Sequence, residues 1–211
     1  KAYDCKSISY TYTEPTIFYE YLIDTSKIAN KEGIKNVWVT NGFINPNPLK
    51  EALPFIDAMN IDLKSFSEDF YQKVCGGRLR PVLETIKKAS KETHIEITNL
   101  LIPTLNDSDE EITKIVDFVS GLSNEIPLHF SAYRPMYKMN KEPTPINTIF
   151  RAKEIAEKRL KYVYLGNIPT NNDTICPNCK STVIKRDYKV KISLMDEKCP
   201  ICNTKIPIII N

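Results

Sequence analysis

The chain has 211 residues, of which 29 are basic, 26 are acidic and 42% are hydrophobic, and its formal net charge is +3. That length suits one ordinary domain with a small appendage, and the apolar content excludes global disorder. The nearly balanced charge gives no reason to expect nucleic acid or a membrane surface as a partner. No apolar run approaches the roughly 18 residues that a transmembrane helix needs.

Short apolar runs alternate with helical patterns from Lys6 to about Gly166. In chain order, the predicted strands are 7–12, 37–39, 59–63, 94–102, 128–132 and 162–165. The predicted helices are 17–29, 49–53, 81–91, 108–119 and 145–160, and Ser108 with Glu111 forms a capping box at the start of the fourth.

This alternation predicts an α/β fold whose parallel sheet is either open and doubly wound or a full or partial barrel. We favour the barrel, because every strand ends in a polar or turn residue that could face one common mouth. Polar residues also end the strands of other α/β proteins, so this preference is modest. The residues are Glu14, Asn41, Lys64, Asn99, Arg134 and Asn167.

Two Cys-x-x-Cys pairs, Cys176 with Cys179 and Cys199 with Cys202, are separated by 19 residues. This spacing is typical of a four-thiolate zinc ribbon, although the same ligands could hold iron as in rubredoxin. Four thiolates close the coordination sphere, so we expect a structural metal that supplies the folding energy of a unit too small to bury a core. Redox use of either pair is the weaker alternative. We place the domain boundary between residues 170 and 171.

The remaining cysteines, Cys5 and Cys75, stand alone, and cysteines paired in this way indicate a reducing compartment, so we expect a cytoplasmic protein. The chain begins with Lys1 and no signal peptide follows, which suggests that its true start lies upstream. His94 and His129 lie on predicted strands without a carboxylate–histidine pattern, and we expect neither to bind a metal.

The order of several strand-end motifs resembles the radical SAM superfamily, and within it the homologues of pyruvate formate-lyase activating enzyme. The branch known as the AmmeMemoRadiSam-system radical SAM enzyme is the most similar. The resemblance covers essentially the whole chain. The motifs that carry it are 10–15 (YTYTEP), 37–43 (VWVTNGF), 60–65 (NIDLKS), 96–103 (EITNLLIP) and 129–138 (HFSAYRPMYK).

The resemblance implies a partial (β/α)6, TIM-like barrel that lacks its first strand here. It also implies a [4Fe-4S] cluster that binds S-adenosylmethionine and reductively cleaves it to a 5′-deoxyadenosyl radical. The radical would abstract hydrogen from a protein or small-molecule substrate, with flavodoxin or ferredoxin as a candidate electron donor. The protein itself would bind and orient the cofactor and exclude water from it.

Glu14 occupies the place of the glutamate in the family's Gly-Gly-Glu-Pro element, which implies that it holds the methionine ammonium group. Tyr12 and Thr13 replace the two glycines. Lys64 would reach the methionine carboxylate or the substrate, and no catalytic residue can be assigned. The full set of cofactor-contacting residues that the resemblance implies is Glu14, Thr40, Asn41, Lys64, Thr98, Asn99 and Arg134.

The sequence contains no Cys-x3-Cys-x2-Cys, the motif through which the family binds its cluster. We therefore expect this chain alone to be inactive and the cluster loop to lie upstream of Lys1. Two other readings remain open. One is a Schiff-base lyase with Lys64 as the nucleophile; the other is a non-catalytic protein that binds partners through its zinc ribbon, including a paralogue without a cluster.

Overall fold

A computed structural model describes residues 5–209, and its main sheet has six strands that are all parallel. They are β1 (Ser7–Tyr10), β2 (Lys35–Thr40), β3 (Ala58–Asp62), β4 (His94–Leu101), β5 (Leu128–Ala132) and β6 (Val163–Gly166). Each strand pairs with the next in sequence, from β1 to β6. The α/β prediction is confirmed.

The strand order distinguishes between the two sheets that the sequence allowed. A doubly wound sheet reverses its strand order at a switch point, whereas the strands of a barrel follow one another in a single direction. Here the order never reverses, and β1 and β6 form the two edges of the sheet. The sheet is therefore open but wound in one direction, as expected for a partial barrel.

Helices lie between consecutive strands. They are α1 (Tyr19–Lys31), α2 (Pro46–Ala52), α3 (Glu68–Phe70), α4 (Leu79–Ala89), α5 (Asp109–Leu122) and α6 (Ile146–Glu157). Two 3-10 helices (Pro15–Phe18 and Leu53–Phe55) precede α1 and follow α2, and a π-helix (Tyr71–Cys75) continues α3. The sequence pattern missed α3 and the π-helix, because three and five residues are too few to show a helical period.

The capping box predicted at α5 forms only in part. The Ser108 hydroxyl accepts a hydrogen bond from the Glu111 backbone N–H at 3.2 Å, as expected. The Glu111 carboxylate does not return to Ser108; it accepts hydrogen bonds from the Ser65 hydroxyl and the Phe66 backbone N–H. Glu111 thus fixes the loop after β3, a tertiary role that local sequence spacing could not reveal.

The two faces of the sheet differ in polarity. On β4, Ile95, Ile97 and Leu101 point to the helices and are buried, as the hydrophobic core requires. The alternate residues, among them Glu96 and Thr98, point to the opposite, concave face and are half-buried. Helices cover only one face, so the concave face can carry polar side chains.

One buried amide, Asn36 on β2, joins three elements beneath the helices. Its Nδ2 donates to the carbonyl oxygens of Ser26 and Phe55 at 3.1 and 2.9 Å, and its Oδ1 accepts from the Tyr10 hydroxyl at 2.9 Å. Asn36 is fully buried. These bonds satisfy groups that would otherwise be desolvated without partners.

The C-terminal unit is a three-stranded antiparallel sheet in the order β7 (Thr174–Ile175), β8 (Thr182–Arg186) and β9 (Val190–Ile192). β8 and β9 form an antiparallel hairpin between the two cysteine pairs. Its small core contains Cys176, Cys199, Val183 and Ile184, together with Tyr162 from the segment before β6. The boundary between residues 170 and 171 stays a prediction and falls between β6 and β7.

Within residues 5–209, no helix is both long and apolar enough to cross a membrane.

We expect Asn36→Ala to lower the free energy of unfolding by about 2–4 kcal/mol, because it leaves two buried carbonyl oxygens and a buried hydroxyl without their partners. Urea unfolding monitored by circular dichroism measures this change. Asn140→Ala, at an exposed loop residue, serves as the control and should shift stability by no more than about 0.5 kcal/mol. Equal stabilities of the two variants would contradict the role assigned to Asn36.

Candidate cofactor site and metal centre

The Glu14 carboxylate lies just beyond the carboxyl end of β1 and connects it to β2. Its Oε1 accepts hydrogen bonds from the Thr16 backbone N–H, the Thr16 hydroxyl and the Thr40 hydroxyl, at 3.1, 2.7 and 2.7 Å. From the residues that the structure describes, its Oε2 accepts one hydrogen bond, from the Asn41 backbone N–H at 2.8 Å. A carboxylate oxygen has two lone pairs, so Oε2 keeps capacity for a cationic donor.

Tyr12 and Thr13, before Glu14, stand where the resemblance implied two glycines. Tyr12 has φ 73°, in the left-handed region where glycine is favoured, and its side chain is fully exposed. The chain therefore makes the backbone turn that glycine would ease, at some conformational cost and with the ring held away from the sheet.

The turn after β2 requires its glycine. Gly42 has φ 71°, and a Cβ at this position would lie 2.8 Å from Ile61 Cγ2. Beside it, Asn41 Oδ1 accepts a hydrogen bond from the Phe43 backbone N–H at 2.8 Å and closes the turn. The Asn-Gly pair thus brings the backbone of this turn against β3 and aims the Asn41 N–H at Glu14.

A cavity of about 420 Å³ opens at the carboxyl ends of β2, β3 and β4. Asn41, Asp62, Lys64 and Thr98 supply most of its polar lining. Lys64 Nζ lies 2.6 Å from Asp62 Oδ2, so the ammonium is paired within the cavity. The volume falls within the range of about 300–1,000 Å³ that is usual for small-molecule sites.

Aromatic and thiol groups form the remaining wall. The Tyr71 hydroxyl accepts a hydrogen bond from the Lys64 backbone N–H at 3.1 Å, and burial raises the pKa of Tyr71 well above its usual value. Cys75 also lines the cavity; burial raises its pKa, and the nearby charge of Lys64 partly opposes this. Both groups are therefore protonated at neutral pH.

The structure does not bring all the sequence-predicted residues to this cavity. Thr98 faces it and donates to Asn60 Oδ1 at 2.9 Å. Asn99 points to the helical side, where it is buried and donates to the Leu63 carbonyl at 2.7 Å. Arg134 is exposed in a neighbouring cavity of about 620 Å³, where it reaches the Asn167 carbonyl at 3.4 Å.

The sequence reasoning missed a charged cluster on the concave face. Glu96 Oε2 lies 2.6 Å from His129 Nε2, and Glu96 Oε1 lies 3.5 Å from His94 Nε2. Burial would raise the pKa of Glu96, but the hydrogen bonds and charges of the two histidines outweigh it and lower the pKa to about 2. The spacing His94-x-Glu96 could have indicated the His94–Glu96 pair, since alternate residues of a strand share a face.

The ribbon covers this cluster. The His129 ring stacks on Tyr164, with centroids 5.2 Å apart, and the Arg186 guanidinium lies 5.1 Å from the centre of the Tyr164 ring. Glu96, His129, Tyr164 and Arg186 line a cavity of about 300 Å³ between the sheet and the ribbon. The two units therefore share a partly polar interface.

The four ribbon cysteines form a compact thiol cluster. All four Sγ atoms lie within 4.8 Å of one another, with Cys176 and Cys202 at 3.5 Å and Cys179 and Cys199 at 3.6 Å. Tetrahedral coordination with metal–sulfur bonds of about 2.3 Å places the sulfurs about 3.8 Å apart. The cluster therefore fits one tetrahedral metal ion.

The two cysteine pairs lie in two tight turns of the same kind. Lys180 and Asn203 follow the pairs, both with φ near 60°, and their backbone N–H groups donate to the first cysteine's carbonyl at 3.0 and 2.9 Å. The Thr204 hydroxyl lies 3.1 Å from Cys202 Sγ and lowers the pKa of this thiol to about 5. A low pKa favours the thiolate, which is the form that ligates metal.

The residues in this chain do not fit an iron–sulfur cluster of the Cys-x3-Cys-x2-Cys kind. Apart from the ribbon, the described residues contain only Cys5 and Cys75, which are both exposed. Cys5 precedes the amino end of β1, whereas Cys75 lies at the carboxyl-end cavity. No step can be assigned to a cluster bound by these residues.

Comparison with known proteins identifies relatives of this chain. The sequence profile of the radical SAM superfamily matches residues 1–119. The protein MJ0808 of Methanocaldococcus jannaschii, described as uncharacterized, is 48% identical over 99% of this chain and 65% of its own length. The chain therefore spans about two-thirds of that relative. Pyruvate formate-lyase-activating enzyme of Clostridium pasteurianum is 26% identical over 68% of this chain and 63% of its own length.

A solved structure gives the same fold. A domain of pyruvate-formate lyase-activating enzyme from Bacteroides vulgatus superposes with a TM-score of 0.66 at 19% identity. The superposition covers 76% of this chain and 98% of that domain. At this identity the likeness concerns the fold alone.

We expect Cys202→Ser to abolish stoichiometric metal binding by the ribbon, because three thiolates leave the tetrahedral sphere incomplete. Elemental analysis of the purified protein should fall from one ribbon metal per chain to well below one. Cys75→Ser is the matched control and should leave the metal content unchanged. Equal metal content in both variants would contradict the assignment of the centre.

Proposed function

Because the chain belongs to the radical SAM superfamily and is homologous to pyruvate formate-lyase activating enzymes, we propose that the carboxyl edge of its sheet binds S-adenosylmethionine. The observation that carries this proposal is the Glu14 carboxylate. It is held in place by Thr16, Thr40 and Asn41, yet Oε2 has one free lone pair. A fixed anion with spare capacity is suited to an ammonium group such as that of methionine.

Neighbouring residues have distinct roles in this proposal. Thr40 orients Glu14 and need not touch the cofactor, since its hydroxyl donates to the carboxylate. Asn41 and Thr98 line the adjoining cavity and offer hydrogen bonds to the rest of the molecule. Lys64 offers a cation to the methionine carboxylate or to the substrate, with Asp62 as its resting partner.

Two of the predicted contact residues, Asn99 and Arg134, do not line the cavity around Lys64. Asn99 holds the Leu63 carbonyl from the helical side and so positions the segment that carries Lys64. Arg134 would be available to the substrate, because its cavity adjoins the first through Leu100, which lines both.

We propose that the intact protein is a radical SAM enzyme whose cluster is held by residues outside these 211. A cluster bound there would supply the electron that cleaves S-adenosylmethionine to a 5′-deoxyadenosyl radical. The barrel residues described above would bind and orient the cofactor and exclude water from it. The substrate is a protein or a small molecule, with flavodoxin or ferredoxin as electron donor, in the cytoplasm.

We propose zinc as the ribbon metal. Four thiolates with no open position make a structural site, and a unit of this size depends on such a site for its folding. Iron would give the protein a visible colour, which zinc does not, so an absorption spectrum distinguishes the two.

One alternative loses support. A Schiff-base lyase needs a neutral Lys64 amine at neutral pH. Lys64 instead lies 2.6 Å from the Asp62 carboxylate in an ion pair, and its side chain is 38% exposed, so the site lacks the desolvated pocket that would activate the amine.

We expect Glu14→Gln to weaken binding of S-adenosylmethionine to the intact protein at least about tenfold, since an amide cannot pair with the ammonium as a carboxylate does. Isothermal titration calorimetry measures the affinity. Glu110→Gln, on the exposed surface of α5, is the control and should bind as wild type. An unchanged affinity in Glu14→Gln would reject the role of Glu14.

The radical chemistry is tested separately. After anaerobic reconstitution with iron and sulfide, the intact protein should acquire a [4Fe-4S] cluster and, when reduced, release 5′-deoxyadenosine. Failure to bind a cluster would leave the non-catalytic ribbon protein as the remaining interpretation.

A further inference from the structure

The hairpin of β8 and β9 concentrates the positive charge of the molecule. Its seven residues 185–191 include four basic side chains and one acidic, a net charge of +3, which equals the net charge of the whole chain. The remaining 204 residues therefore carry no net charge. Because the rest of the chain has no net charge, the hairpin is the region that would attract a negatively charged partner.

The lysines of this hairpin oppose one another. Lys185 on β8 is directly opposite Lys191 on β9, and like charges in directly opposed positions destabilise an antiparallel pair. Among the described residues, neither lysine has an ion-pair partner. No ion pair within residues 5–209 compensates this repulsion, and an external carboxylate would relieve it.

The opposite face of the same hairpin carries exposed aliphatic side chains on β9. Val190 and Ile192 lie opposite Arg186 and Ile184 and so share their face of the sheet. They remain 62% and 49% exposed, whereas Ile184 is buried in the ribbon core. β9 therefore has Lys191 on one face and Val190 and Ile192 on the other.

The backbone of β9 is available on its outer side. Within residues 5–209, β9 pairs only with β8, at the end of the order β7-β8-β9. Lysines on an edge strand commonly prevent unwanted pairing. That function alone would not call for exposed Val190 and Ile192 on the opposite face, which favour pairing with an apolar strand.

We propose that β9 is a docking edge for an extended acidic segment of a partner protein, which adds to the ribbon as a fourth strand. An acidic side chain opposite Lys191 in the added strand would lie in the same cross-strand row as Lys191 and Lys185 and pair with them. Apolar side chains on either side of it would cover Val190 and Ile192. Strand addition takes its affinity from backbone hydrogen bonds and its specificity from such alternation.

The aliphatic residues favour protein over nucleic acid as the occupant. Nucleic-acid surfaces are bound by basic groups with aromatic or planar side chains that stack on bases. The hairpin has one exposed aromatic ring, Tyr188, but Val190 and Ile192 of β9 cannot stack in this way, and both need an apolar surface to cover them. This proposal does not depend on S-adenosylmethionine binding, so either one can fail without the other.

The test is a fluorescence-anisotropy titration of the metal-loaded chain into labelled peptides of about eight residues, near the usual length of a strand. One peptide alternates glutamate and valine, and a second has the same composition with its glutamates in one block. A third alternates lysine and valine, and a single-stranded oligodeoxynucleotide represents nucleic acid. We expect the alternating acidic peptide to bind best, with an affinity that falls as salt increases.

The variants separate charge from packing. Lys185→Glu/Lys191→Glu should weaken binding of the alternating acidic peptide at least about tenfold, because the charge of the edge changes sign. The same variant should gain binding to the lysine–valine peptide. Val190→Ser/Ile192→Ser should weaken binding of the acidic peptide while leaving the salt dependence of that binding unchanged. Lys50→Glu/Lys91→Glu makes the same charge change on the exposed surface of the barrel and should bind as wild type.

Metal content, measured on each variant, shows that the ribbon is intact. The proposal is overturned if the blocked peptide binds as well as the alternating one, or if the hairpin and control charge reversals weaken binding equally. Tighter binding of the oligodeoxynucleotide than of any peptide would also overturn it.

Discussion

The parallel, sequential pairing of the six strands is the constraint on which the rest of the molecule depends. Since all six strands are parallel, their carboxyl ends meet along a single edge. Because β1 and β2 are also neighbours, Glu14, which follows β1, can accept hydrogen bonds from Thr40 and Asn41 at the end of β2. A strand order that separated β1 from β2 would remove these supports from the carboxylate.

Single-direction winding also explains the polarity of the two faces. Helices pack on one side only and bury isoleucine and leucine there. The concave side receives no helix, so it retains Glu96 with His94 and His129, as well as the cavity around Lys64. Burial of these charges is tolerable because each has a partner of opposite sign or a hydrogen bond.

The ribbon depends on its thiol cluster and on the barrel together. Its core is six residues, two of them cysteines and one of them Tyr162, which belongs to the segment before β6. So small a core supplies little hydrophobic free energy, which a tetrahedral metal must supplement. Tyr164 and Arg186 extend the contact and place the ribbon over the concave face.

The sequence by itself determined the features that are local. Alternating strands and helices established the α/β class, and the two Cys-x-x-Cys pairs identified the metal centre, because two thiolates two residues apart already share one turn. The strand-end motifs also identified the superfamily. Each of these signals is contained in a short segment and needs no knowledge of what lies beside it.

Only the tertiary structure decided which side chains meet. It separated Thr98 from Asn99, although they are adjacent, because consecutive strand residues face opposite sides. It also placed Arg134 in a second cavity and joined Glu96 to His129 across two strands. These outcomes depend on strand register and on packing between distant segments, neither of which is encoded in a local pattern.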